Sequence, residues 1–157
     1  MREEKIAVCL GNLVQLLVEN NCINPLTFNV FSADLFVVDA SLLTIHFPWA
    51  VTMHMNPEEM TLYVLFLQHP SGIRKNDLWE YYTELLELYR GFARSTDKDW
   101  TETVIDNICD TDKNNLFLFR LSHLRCRMQK EHGELFASRF AISRNDRGVY
   151  RITALIG

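Results

Sequence analysis

Four cationic side chains, Arg120, Arg125, Arg127 and Lys130, crowd into the segment that follows Asp112, with Arg144 and Arg147 a little further on. A guanidinium fork can pair with the edge of guanine or with two phosphate oxygens. Asn115, at the start of the same segment, can pair bidentately with adenine. Phe119, Ser122, His123 and Cys126 lie among these charges. An exposed Phe could meet a thymine methyl, yet it is equally what a protein-binding groove would show. Other arrangements do less. Asp110-x-Asp112-x-Asn114 imitates the opening of a calcium loop, but Asn115 and Leu121 stand where glycine and the closing glutamate belong. A helix cap explains those acids better. His123, Cys126 and His132 form a sparse metal triplet with no second close Cys/His pair. His46, His54 and His69 read as satisfied structural residues, and no serine–histidine–aspartate order, phosphate loop or carboxylate pair stands out.

The positioning elements follow from periodicity. Residues 3–20 predict a helix on Ile6, Leu10, Leu13 and Leu17, ended by Asn24-Pro25. Short Phe-, Val-, Ile- and Thr-rich runs at 27–31, 35–38, 42–47 and 51–54 predict an antiparallel meander. Asn56-Pro57-Glu58-Glu59 opens a helix to Gln68, with Asn56 as cap and Glu59 as capping-box acid. His69-Pro70-Ser71-Gly72 ends it. A second helix starts near 74–77 and runs to Gly91, residues 93–99 read as loop, and 100–108 as a short amphipathic helix. Thr111 or Asp112 should cap the next helix, whose Phe117, Leu121, Leu124 and Met128 share one arc and face the core. Gly133 ends it, and 134–140 adds a short helical piece. Strands near 141–144 and 149–153 flank the turn Asn145-Asp146-Arg147-Gly148.

Charge divides along the chain. Residues 1–111 carry seven Lys/Arg against sixteen Asp/Glu, whereas residues 112–157 carry nine against four. A basic C-terminal third on an acidic body suits a polyanion-binding surface, although such splits also arise with no partner. Four scattered cysteines without a C-x-x-C pair fit a reduced compartment. The apolar runs are too short to span a bilayer, and two acids within the first residues argue against a secretory signal.

In this order the elements resemble the DNA-binding effector domain of OmpR/PhoB-type response regulators. Met55-Asn56-Pro57-Glu58-Glu59 is similar to that family's Leu-Thr-Pro-x-Glu helix start, and His69-Pro70-Ser71-Gly72 to its His-Pro-Gly turn. Leu121-Ser122-His123-Leu124-Arg125-Cys126-Arg127-Met128 resembles its recognition helix, and Arg147-Gly148-Val149-Tyr150-Arg151-Ile152 its wing. The likeness covers residues 28–153. It departs in about twenty inserted residues at 90–111, in the added N-terminal helix, and in lacking room for a receiver domain, so phosphorelay control is not implied.

The resemblance implies an α+β winged helix-turn-helix with an N-terminal antiparallel β-meander, an extra N-terminal helix and a C-terminal β-hairpin wing. The expectation is one domain over 1–157: helix 1–24, meander 27–55 and winged helix 56–153. By position, Asn115, Phe119, Arg120, Ser122 and His123 would face base edges, and Arg125 would grip phosphate. Asn145, Asp146 and Arg147 would form the wing tip, and Arg127, Lys130 and Arg144 would add neutralisation. The expected partner is double-stranded DNA, with no membrane. A homodimer through the N-terminal helix or the 90–111 insert fits the same reading. The chain is expected to be a cytoplasmic transcriptional regulator, to need no cofactor or metal, and to be no enzyme. The alternative is a winged-helix module that holds a protein through Phe119 and the aromatic helix 78–92 (Trp79, Tyr81, Tyr82, Tyr89).

Overall fold

The structure, a computed structural model, describes residues 28–31 and 36–155, with side chains from Phe36 onward. The helix expected at 3–20 lies outside the described residues. What is described is α+β, with small antiparallel sheets and α-helices, in two compact units divided after Asn56. Among the described residues no helix is long and apolar enough to cross a membrane.

The first unit holds β1 (Phe28–Phe31), β2 (Phe36–Asp39), β3 (Thr44–Phe47) and β4 (Val51–His54), paired in sequence order as an antiparallel meander. Val38 lies opposite Ile45, and Ile45 opposite Met53. These apolar side chains are buried, and the Phe36 and Phe47 rings meet edge to face at 5.6 Å. Asp39 makes the β2–β3 turn, accepting hydrogen bonds from the Ser41 amide, the Ser41 hydroxyl and the Leu42 amide.

The second unit begins with α1 (Pro57–Gln68), buried from Glu59 to Leu67. Pro57 opens it, where a missing amide hydrogen costs nothing, and Glu58 and Glu59 follow at the positive end of the helix dipole. β5 (Ile73–Arg74) comes next, then a 3-10 helix (Lys75–Tyr81) that leads into α2 (Tyr82–Ala93). The segment read as loop to residue 99 turns helical earlier. Asp97 accepts the Trp100 amide at 3.0 Å and so caps α3 (Lys98–Cys109). Thr101, Ile105, Ile108 and Cys109 are the buried residues of α3. α4 (Leu116–His132) starts later than Thr111 or Asp112 would have it. Residues 111–113 form a turn, and the Asn114 carboxamide oxygen accepts the Leu116 amide at 2.9 Å. α5 (Glu134–Phe140), β6 (Ile142–Arg144), β7 (Val149–Ile152) and a last 3-10 turn (Thr153–Leu155) complete the unit.

The sheet order is β5-β7-β6, all antiparallel, so the closing hairpin puts its second strand in the centre. The two-residue β5 is not legible in sequence because it is too short to show alternation. Phe117 of α4 joins helices to sheet, stacking on Phe66 at 6.4 Å and meeting Tyr150 edge-on at 5.2 Å. The Tyr63 hydroxyl donates to the Phe140 carbonyl at 2.6 Å, tying α1 to the end of α5.

At Gly72 the chain approaches β7 closely. Its φ is +95°, and an added Cβ would collide with the Val149 side chain and come within 2.6 Å of the Tyr150 carbonyl oxygen. Gly72→Ala should therefore destabilise the protein by about 2 kcal/mol or more through backbone strain and displacement of β7. The check is a thermal melt, with β5–β7 amides exchanging first.

Burial pushes the Cys109 thiol, which donates to the Leu78 carbonyl at 3.6 Å, up to about 12 from 9.0. Burial, and then the Asp106 carboxylate, push the Tyr82 phenol to about 12. Both folded groups hold their protons more tightly than the unfolded chain does. Their stabilising contribution is complete below pH 9 and fades as pH rises toward 12. Denaturant titrations across that range should show this decline, less steep in Cys109→Ala.

Candidate nucleic-acid interface

The surface of α4 is divided by what each flank touches. At about 100° per residue, Phe117, Leu121, Leu124 and Met128 form the buried stripe. Arg120 and Arg127 fall on one flank, against the first turn of α1. Arg120 Nε and Glu58 Oε2 are both buried and form an ion pair, though not a hydrogen bond. Arg127 Nη1 donates to Glu59 Oε1 at 3.2 Å, and His123 Nδ1 lies 3.5 Å from Glu59 Oε2. Glu59 is only 2% exposed, so its charge needs these neighbours. Arg125 sits on the other flank and donates to the Ser143 hydroxyl of β6 at 3.1 Å. That bond sets the closing hairpin beside α4.

The outward arc is left to Phe119, Ser122, His123, Cys126 and Lys130, all exposed or half-buried. Phe119 is 59% exposed, stacks on the His123 ring at 6.2 Å and carries the Arg120 guanidinium 5.7 Å from its centroid. Asn115, expected on this face, is the N-cap position of α4 and stands at its entrance instead. It is exposed and makes no side-chain capping bond. The helix starts after it because the preceding turn is closed locally by Asn114. Arg120, expected at base edges, has its fork turned to Glu58, because α1 offers a carboxylate next to that flank.

Arg144 and Arg147 are exposed on the hairpin. Its tip is closed by local hydrogen bonds. Asn145 Oδ1 accepts the amides of Arg147 at 2.9 Å and Val149 at 3.0 Å, the Gly148 amide donates to the Asn145 carbonyl, and Gly148 takes φ +79°. Arg74 and Lys75 join these residues at the same end of the sheet, since Arg74 lies opposite Val149. Sequence reasoning singles out neither for this surface. The available signal is their place just after Gly72, where the chain must return along the hairpin. Among the described residues no cluster of three metal-binding side chains occurs, and His132 packs on Phe136 at 5.1 Å. Neither protein-family models, nor curated proteins, nor solved structures give a match to this chain.

Breaking the Glu59 cluster by Arg127→Leu leaves a buried carboxylate with His123 as its remaining α4 partner. The expected loss is about 1–3 kcal/mol, discounted from a fully buried pair because Arg127 keeps some water contact. Urea titration should show it, and Glu59→Leu combined with Arg127→Leu should recover much of the loss.

Proposed function

We propose that the chain is a DNA-binding protein, a transcriptional regulator acting through a winged helix-turn-helix in its second unit. The observation that carries this reading is the order β5-β7-β6 with α4 held against the hairpin by Arg125 and Ser143. It supports the reading because a helix and a β-ribbon linked on one core could enter a major groove together while touching the flanking backbone. Phe119, Ser122, His123 and Lys130 would meet the groove, and Arg144 and Arg147 the phosphates. Arg120 and Arg127 drop out of the contact set and become the supports that fix how α4 is rotated. Arg125 positions the hairpin. The likeness to OmpR/PhoB-type effector domains in residue pattern accords with this element order. A cytoplasmic site of action belongs to the same proposal. A homodimer through α3 would have to use its exposed side around Trp100, because its apolar stripe is already buried.

One observation favours the second reading, a protein-binding module. Phe119 and Leu118 are both exposed, while two of the arginines nearby are neutralised internally.

Fluorescence anisotropy with mixed-sequence duplex DNA separates the two. With about four phosphates neutralised, affinity should fall roughly 100-fold between about 50 and 200 mM salt. Arg144→Ala with Arg147→Ala should weaken binding and flatten the salt slope by about two. Phe119→Asp should weaken binding through like-charge repulsion at the groove. Absence of binding at low salt rejects the DNA reading in favour of a protein partner.

A further inference from the structure

Where the 3-10 helix leaves β5 and the hairpin turns over, Arg74, Lys75, Asn76, Asp77, Arg144 and Arg147 line an open cleft of about 390 Å³. Four cations face it against one carboxylate, and among the described residues none of the four joins an ion pair. Elsewhere in this unit Arg120 pairs with Glu58, Arg127 with Glu59 and, at 3.7 Å, Arg90 with Glu102. Cations such as Lys98 and Lys113 are unpaired among the described residues, but they stand apart from one another in sequence rather than lining one cleft. Four positive charges gathered against a single carboxylate raise the potential of the cleft, and an anion placed there relieves it. Three of the cations are arginines, whose planar forks match the oxygens of a phosphate better than a halide. The size is at the small end for small-molecule sites, and the lining side chains are polar rather than apolar. Asn76 can donate or accept beside the charges, and Asp77 offers an acceptor to a hydroxyl carried on the same ligand.

We propose that this cleft is a phosphate-binding site whose occupant is a phosphorylated group, borne either by a small organic phosphate or by a nucleic-acid strand. The wall is held in place by the structure already described. Gly72 brings β5 against β7, and Asn145 fixes the hairpin tip, so the cations from both sides converge before any ligand arrives.

The test is calorimetric titration of the full chain with inorganic pyrophosphate at low ionic strength, repeated with a short mixed-sequence duplex as competitor. Saturable one-to-one binding is expected. It should weaken about tenfold for each arginine removed in Arg144→Ala/Arg147→Ala. Lys98→Ala/Lys113→Ala, which removes two exposed charges outside the cleft, should leave it unchanged. Removing like charge should not lower the melting temperature of the arginine variant, so failure to bind is separable from failure to fold. Displacement of pyrophosphate by the duplex supports the site with a strand phosphate as occupant. Saturable binding that the duplex does not displace supports it with a small phosphorylated compound. No saturable binding, or an equal weakening in both double variants, overturns the proposal. Duplex affinity measured on its own then says whether DNA binding stands without the cleft.

Discussion

Glu59 is a carboxylate almost sealed from water, and the need to compensate its charge decides which side of α4 can face outward. Its oxygens meet Arg127 and His123, while the neighbouring Glu58 takes Arg120. The three α4 residues recur at i, i+3 and i+7, so they form a stripe that can dock only one way against the first turn of α1. Burial of Phe117, Leu121, Leu124 and Met128 alone would tolerate some rolling of the helix about its axis. The ionic stripe next to it removes that freedom. Buried ion pairs add little net stability compared with apolar packing of the same volume, so their consequence here is specificity of orientation.

Once α4 is fixed in rotation, its opposite flank presents Arg125 to Ser143, and the hairpin acquires a defined place. Phe117 reinforces this from within the core by meeting both Phe66 and Tyr150. Gly72 acts from the far edge, where its missing side chain allows β5 to lie against the central strand. Helix orientation and ribbon placement thus depend on a short chain of contacts running from α1 through α4 to β7.

Much of this is legible in sequence because it rests on periodicity and on local chemistry. The strands of the meander, the helix beginning at Pro57, the core stripe of α4 and the turn at Asn145–Gly148 all declare themselves by spacing or by turn residues. The start of α4 does not. Thr111 and Asp112 both look like caps, yet Asn114, whose carboxamide accepts the Leu116 amide, closes the preceding turn and delays the helix. β5 is invisible because two residues cannot display a period. The fate of Arg120 and Arg127 is hidden for a different reason. A helical wheel locates a side chain on a flank, but it cannot tell whether a carboxylate from another helix waits there. Glu58 and Glu59 stand out in sequence as residues of a helix start, which explains them locally and obscures their reach toward α4.

The basic C-terminal third therefore contains two populations with opposite meaning. Arg120 and Arg127 are balanced by α1 and contribute to the architecture. Arg144 and Arg147, joined by Arg74 and Lys75 from outside that third, stand without ionic partners among the described residues. Net charge along the sequence merges the two groups, although they act at different places. The outward arc of α4 carries one lysine and a histidine around an exposed phenylalanine, so its own electrostatic pull on a polyanion is weak. In the proposed DNA-binding reading, long-range attraction would come from the hairpin end of the sheet, leaving shape and apolar contact to the helix. Under this division of labour affinity and selectivity would reside on separate elements: charge removed from the ribbon would weaken all sequences alike, whereas a change at Phe119 would alter which sequence is preferred.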